Sequence, residues 1–150
     1  MGVATLANGE MDKAILNLKQ ASLLSPGFID PVLLLANVNL RKGDYGAVIV
    51  AMKQTVQARP DLVQAWLLLA DAYRRQNNLS DALAVYRQMD KLFPRSAETP
   101  LLTGMILRQQ NKKAEARQAF DQALEIKPDY LPALEQLVYL DIADQQFPAA

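Results

Sequence analysis

The side chains of this chain that could do covalent chemistry are carboxylates, lysines and a few serines, because it contains neither histidine nor cysteine. Without an imidazole there is no histidine general base and no His ligand for zinc or iron. Without a thiol there is no disulfide and no thiolate metal site, and the redox compartment is left undecided. Catalysis would then need paired carboxylates, a lysine, or a serine with a lysine base, gathered in a cleft. Asp141 and Asp144 stand close together, yet they fall on the last segment and are expected to face water; the other acids are scattered. Ser22, Ser25, Ser80 and Ser96 lie near expected helix ends, where capping explains them. No glycine-rich phosphate loop occurs. These residues argue against an enzyme, and they imply no cofactor and no metal.

What must position any functional side chain is a folded core, and the composition supplies one. Of the 150 residues 51% are hydrophobic and 21% charged, which is too apolar for disorder. Sixteen basic and sixteen acidic residues cancel, so no bulk field draws nucleic acid or an anionic membrane. The longest apolar runs, Val32 to Ala36 and Trp66 to Ala70, are far too short to span a bilayer. Met1-Gly2 leads into helical sequence with no signal-peptide pattern.

The organisation is periodic. Pro26, Pro60, Pro94 and Pro128 are spaced 34 residues apart, and a fixed period of that length marks one supersecondary unit copied along the chain. Whole copies run 29–62, 63–96 and 97–130, with partial copies at 1–28 and 131–150. The fifteenth column reads Gly9, Gly43, Asn77, Asn111 and Gln145; Gly and Asn tolerate the left-handed backbone needed between two helices. Ahead of that column, Val32, Leu35 and Ala36, then Trp66, Leu69, Ala70 and Tyr73, then Leu134, Leu137 and Val138 follow helical spacing and define a first helix, A, with its buried face. After it, the columns Ala14, Val48, Ala82, Ala116; Leu18, Met52, Tyr86, Phe120; and Ala21, Thr55, Met89, Ala123 define a second helix, B. Small residues let two backbones approach, and the large residue four positions on fills the space beside them. Trp66, Tyr73, Tyr86 and Phe120 are expected in the core, and each proline closes helix B.

The pattern Trp66, Leu69, Ala70, Tyr73, Asn77, Ala82, Tyr86, Met89, Pro94 resembles the tetratricopeptide repeat, over essentially the whole chain. That resemblance implies an all-α, right-handed superhelical solenoid of antiparallel helix pairs acting as a protein-interaction scaffold. The copy at 97–130 departs most, with Pro100 in place of a large residue and Thr103 in place of leucine. Ser96 is expected to cap a late-starting helix with Pro100 in its first turn, and that helix to be shortened or loosened. In the family, helix A lines the concave face at positions 2, 5, 9, 12 and 13. Carried onto this chain, the contact set holds Leu33, Asn37, Leu40 and Arg41, then Leu67, Asp71, Arg74 and Arg75, then Leu101, Met105 and Arg108, then Tyr139. An apolar stripe with a basic margin suits a peptide segment or partner helix carrying hydrophobic anchors and some acids. Two readings of the leucines stay open, since Leu34, Leu68 and Leu102 recur beside them: a groove, or packing between repeats. The arginines sit where the helix dipole favours them, and Asp71 can pair with Arg75. The family's carboxylate clamp for chaperone tails is absent: Asn37 matches it, but Leu33, Leu68, Glu98 and Leu102 do not.

The ends read as cuts in a longer array. The first copy lacks its opening positions, the last stops at Ala149-Ala150, and an exposed apolar end could pair with a second copy, as an artefact of the cut. The alternative to peptide binding is a structural spacer or self-assembly element. Segment 134–143 resembles large bacterial envelope arrays, including lipoproteins of exopolysaccharide and protein-sorting systems, which implies periplasm or cell envelope; cytoplasmic arrays share the same columns.

Overall fold

The computed structural model describes residues 2–25, 27 and 29–146, with no side-chain description for 2–6 and 146. Among them are eight α-helices and no strand: α1 (Gly2–Leu24), α2 (Ile29–Lys42), α3 (Tyr45–Ala58), α4 (Val63–Arg75), α5 (Leu79–Leu92), α6 (Glu98–Gln109), α7 (Lys113–Ile126) and α8 (Leu131–Gln146). This is an all-α helical-repeat fold.

The punctuation is chemical and recurs in step. Gly43, Asn77 and Asn111 have φ of 85°, 60° and 62°, so each turn column adopts the left-handed backbone expected of it. At each turn the same pair of bonds closes the preceding helix. Asp44, Asn78 and Lys112 donate their N–H to the carbonyls of Asn39, Tyr73 and Leu107 at 2.9 Å. The left-handed residues themselves donate to Leu40, Arg74 and Arg108. That double closure satisfies carbonyls a helix end otherwise leaves open. Pro60, Pro94 and Pro128 each lie two residues beyond a helix end. Behind them, Leu62, Ser96 and Tyr130 donate to the carbonyls of Arg59, Phe93 and Lys127. Pro26 lies outside the described residues.

The chain forms two compact units, one up to Asn78 holding α1–α4 and one from Leu79 holding α5–α8. In the first, α1 packs on α2, α2 on α3 and α3 on α4, and α2 also touches α4. Val48 and Met52 of α3 and Ala65 and Ala70 of α4 are fully buried. In the second, α5 packs on α6, α6 on α7 and α7 on α8, with α6 also against α8. Ala116, Phe120 and Ala123 of α7 form the centre of that core, each 0% exposed. Small residues at the helix crossings let the backbones close up around the large side chains, as their columns suggest.

Several expectations are corrected. Gly9 is no turn: α1 runs straight through it, since glycine permits the left-handed backbone without requiring it. Gln145 likewise stays inside α8, because glutamine lacks the ease of glycine in the left-handed region. Ser96 does not cap α6; Ala97 occupies the cap position with no side-chain bond. Ser80 lies inside the first turn of α5 and Ser22 inside α1, whereas Asp44, whose carboxylate accepts from the Ala47 N–H at 3.2 Å, caps α3. Pro100 does fall in the first turn of α6, and α6 is the shortest helix described, with 12 residues. It is not loosened, since Thr99, Pro100 and Gly104 are all buried. Trp66 is half-buried rather than core, because its indole N–H reaches out to the Pro60 carbonyl at 3.0 Å.

Candidate functional site

The expected contact set splits once its burial is known. Leu33, Leu40 and Leu101 are each only 7% exposed, so they belong to packing and offer no apolar floor. The physical reason is that A helices touch one another as well as their B partners: α2 meets α4, and α6 meets α8. That contact uses part of the face assigned to ligand. Val32 and Leu35, expected in the core, are only half-buried. They line a recess of about 750 Å³ between α1, α2 and α3, together with Ala36, Ala51, Lys19 and Lys42. Nothing in the periodicity signals this recess, whose α1 wall is Ile15, Lys19 and Ser22.

In the first unit, the outward residues of α2 and α4 are mostly polar and partly occupied. Asn37 donates its side-chain N–H to the Leu33 carbonyl at 2.9 Å, so its amide serves its own helix. Asp71 accepts from both Arg74 and Arg75, the latter at 3.0 Å, which realises the pairing expected from their spacing and adds a second arm. The hydrogen bond to Asp71 pushes the Arg75 pKa up, reinforced by the attraction between the charges. Two of the four expected basic residues are thereby spent on a local triad. Arg41 is exposed and makes no ion pair among the described residues. Leu67 is half-buried and is the accessible leucine of this set.

In the second unit two of the outward residues are large and apolar. Met105 of α6 and Tyr139 of α8 hold the same repeat position on adjacent A helices and are 39% and 60% exposed. Beside them the Arg108 guanidinium donates to the Gln136 side-chain oxygen and links α6 to α8. Asp141 and Asp144 do not simply face water. Arg117 pairs with Asp141, and Lys113 pairs with Asp144 at 3.2 Å, so the acids fasten α8 to α7. The bond to Asp141 raises the Arg117 pKa. Structural pairing accounts for both carboxylates without any chemistry.

Among the described residues no group of His, Cys, Asp or Glu could hold a metal ion, and no helix is long and apolar enough to cross a membrane.

Comparison with known proteins agrees with this architecture. Tetratricopeptide-repeat models match residues 33–97 and 101–130. No curated protein matches the chain in sequence. Among solved structures, a tetratricopeptide repeat protein from Parabacteroides merdae superposes with a TM-score of 0.76 at 18% identity, over 93% of this chain and 56% of that one. MamA gives a TM-score of 0.74 at 18% identity, covering 97% of this chain and 85% of its own. A thermophilic repeat protein of Thermus thermophilus gives 0.67 at 24%, over 94% and 79%. At these identities the likeness concerns fold, and with the repeat matches and the periodic turns it leads to one statement: the chain belongs to the tetratricopeptide-repeat family.

Proposed function

We propose that this chain is a non-enzymatic scaffold that holds a peptide segment or partner helix on the outward faces of its A helices. Tetratricopeptide repeats are protein-interaction scaffolds, and the finer reading concerns which residues here make the contact. The observation that carries it is the pair Met105 and Tyr139, two large apolar side chains left exposed at one repeat position, with Arg108 beside them. Exposed aromatic and methionine side chains next to an arginine have the composition of protein-binding patches. Leu67 and Arg41 offer the corresponding groups in the first unit. A ligand with hydrophobic anchors and acidic residues suits both faces. The repeats at 29–62, 63–96 and 97–130, with the partial copy at 131–150 that carries Tyr139, are the units that present these positions.

The test is a randomised peptide library displayed on phage and panned against the chain. Enriched peptides should combine apolar anchors with acids and bind saturably. Met105→Glu or Leu67→Glu should weaken that binding at least about tenfold, a loss typical of a buried contact residue, while helicity stays unchanged. Absence of any enrichment, or enrichment indifferent to both substitutions, would overturn this reading.

A further inference from the structure

The recess of the first unit owes its shape to the side chains of the repeat at 29–62. Ile15 of α1, Val32 and Leu35 of α2, and Ala47, Ala51 and Ala58 of α3 give its space of about 750 Å³ an apolar lining. Helix α1 packs on α2 and α2 on α3, whereas α1 and α3 do not approach each other closely among the described residues. Side-chain size leaves that gap unfilled. Asn39 stands where the next two copies have Tyr73 and Leu107, Ala58 where they have Leu92 and Ile126, and Val32 where the next has Trp66. Tyr73 and Leu107 are both 8% exposed, so that column takes a large buried side chain elsewhere, and Asn39 does not supply one. A concave space of this size, mostly apolar with a few polar groups, suits a small organic molecule.

The charge around the recess is uneven. Lys19, Lys42 and Arg59 bring three positive charges to its lining and Asp44 one negative. Lys42 pairs with Asp12 and Arg59 with Asp61, and the Asp44 carboxylate accepts from the Ala47 N–H at 3.2 Å. Lys19 is exposed and has no ion pair among the described residues, so its ammonium is open to charge-assisted hydrogen bonds from a ligand carboxylate. The lining follows α3 from Asp44 to Arg59, about 20 Å of helix, which favours a linear ligand over a compact one. The Thr55 hydroxyl donates to the Ala51 carbonyl at 2.8 Å, inside its own helix. An extended peptide laid here would find few partners for its N–H and C=O groups, a cost that an alkyl chain does not incur.

We propose that this recess binds a free long-chain carboxylate, with the alkyl chain along the α3 alanines over Val32 and Leu35 and the carboxylate at Lys19. A single open ammonium suits a monoanion, and the apolar wall supplies the affinity through buried methylenes. The site lies wholly within the first unit. It goes beyond peptide binding, since it uses none of Met105, Tyr139, Leu67 or Arg41.

Isothermal titration calorimetry of the chain with sodium dodecanoate, below its micellar range and at neutral pH, should show saturable binding of one ligand per chain. Decanoate, two carbons shorter, should bind roughly tenfold more weakly, as two fewer buried methylenes require. Dodecanol and dodecyltrimethylammonium should both bind more weakly than dodecanoate. Asn39→Tyr, which installs the side chain of the next copy, should fill the recess and abolish dodecanoate binding with helicity unchanged. Ala51→Val, copying Val85, should weaken it by the same route. Lys19→Glu, at an exposed position, should reverse the headgroup preference, so that dodecyltrimethylammonium binds better than dodecanoate. The proposal is overturned if dodecanoate gives no binding up to about 1 mM, if dodecanol binds as well, or if neither filling substitution changes the affinity. Met105→Glu should bind dodecanoate like the parent chain while losing the panned peptides, so failure here and failure of the peptide reading are told apart.

Discussion

Gly104 of α6 lies against the ring of Phe120 of α7, so close that a Cβ added at Gly104 would come within 2.4 Å of Phe120 Cε1 and 2.7 Å of Cδ1. The corresponding positions in the two preceding repeats hold Ala36 with Met52 and Ala70 with Tyr86. The third repeat thus sets its smallest residue against a rigid ring that is 0% exposed. Gly104→Ala gains about 1 kcal/mol of helix propensity. It also forces a fully packed ring out of place, at about 1–3 kcal/mol or more. The net expectation is destabilisation, read as a lower urea midpoint at constant m-value. Phe120→Leu should cost stability alone yet soften the effect of Gly104→Ala in the double variant, a coupling that a double-mutant cycle measures. Equal, additive effects would mean that the ring does not set the spacing of α6 and α7.

How much of this was legible in the sequence follows from what each position has to satisfy. Gly43, Asn77 and Asn111 were readable because one backbone conformation restricts the residue type, and the prolines because they lack a donor. The small and large columns of helix B were readable for the same reason, one residue at a time. Gly104 with Phe120 was not, because its meaning lies in a pair from two columns, and Pro100 and Thr103 drew attention instead. Gly9 is different, since glycine permits the left-handed backbone without requiring it and α1 continues through the position. For Leu33, Leu40 and Leu101 the sequence leaves groove and inter-repeat packing both open, because the periodicity of a single helix gives the direction of a side chain but not what stands in front of it. Contact between neighbouring A helices decided that, and no spacing within one helix encodes it.

Thr99 of α6 is 0% exposed, and its hydroxyl finds no partner among the described residues. Ala65 and Ala133 hold the same repeat position and are also 0% exposed, so the site suits a small apolar side chain. A buried hydroxyl without a hydrogen bond costs about 1–3 kcal/mol. Thr99→Val keeps the shape and removes the oxygen, and should raise stability by about 1 kcal/mol. Thr99→Ala should gain less, because the lost methyl leaves a small void. Thermal melts of both variants decide it, and a lower Tm for Thr99→Val would mean that the hydroxyl is bonded after all.

Asp90 of α5 is half-buried, and burial alone pushes its carboxyl pKa up. Withdrawal from water disfavours the charged form, so the folded state holds the proton more tightly than the unfolded chain does. The sign of the pH effect follows from that. The stability linked to this group is complete below the unfolded carboxylate pKa, and it is lost as pH rises through the higher folded value. Asp90→Asn carries no charge to desolvate and avoids the loss. Its stability relative to the parent chain should therefore be greater at neutral pH than at about pH 3, below the ordinary carboxylate range. Urea unfolding of both proteins at the two pH values measures the difference directly. An advantage for Asp90→Asn that is larger in acid would show that a nearby positive charge, rather than desolvation, governs this side chain.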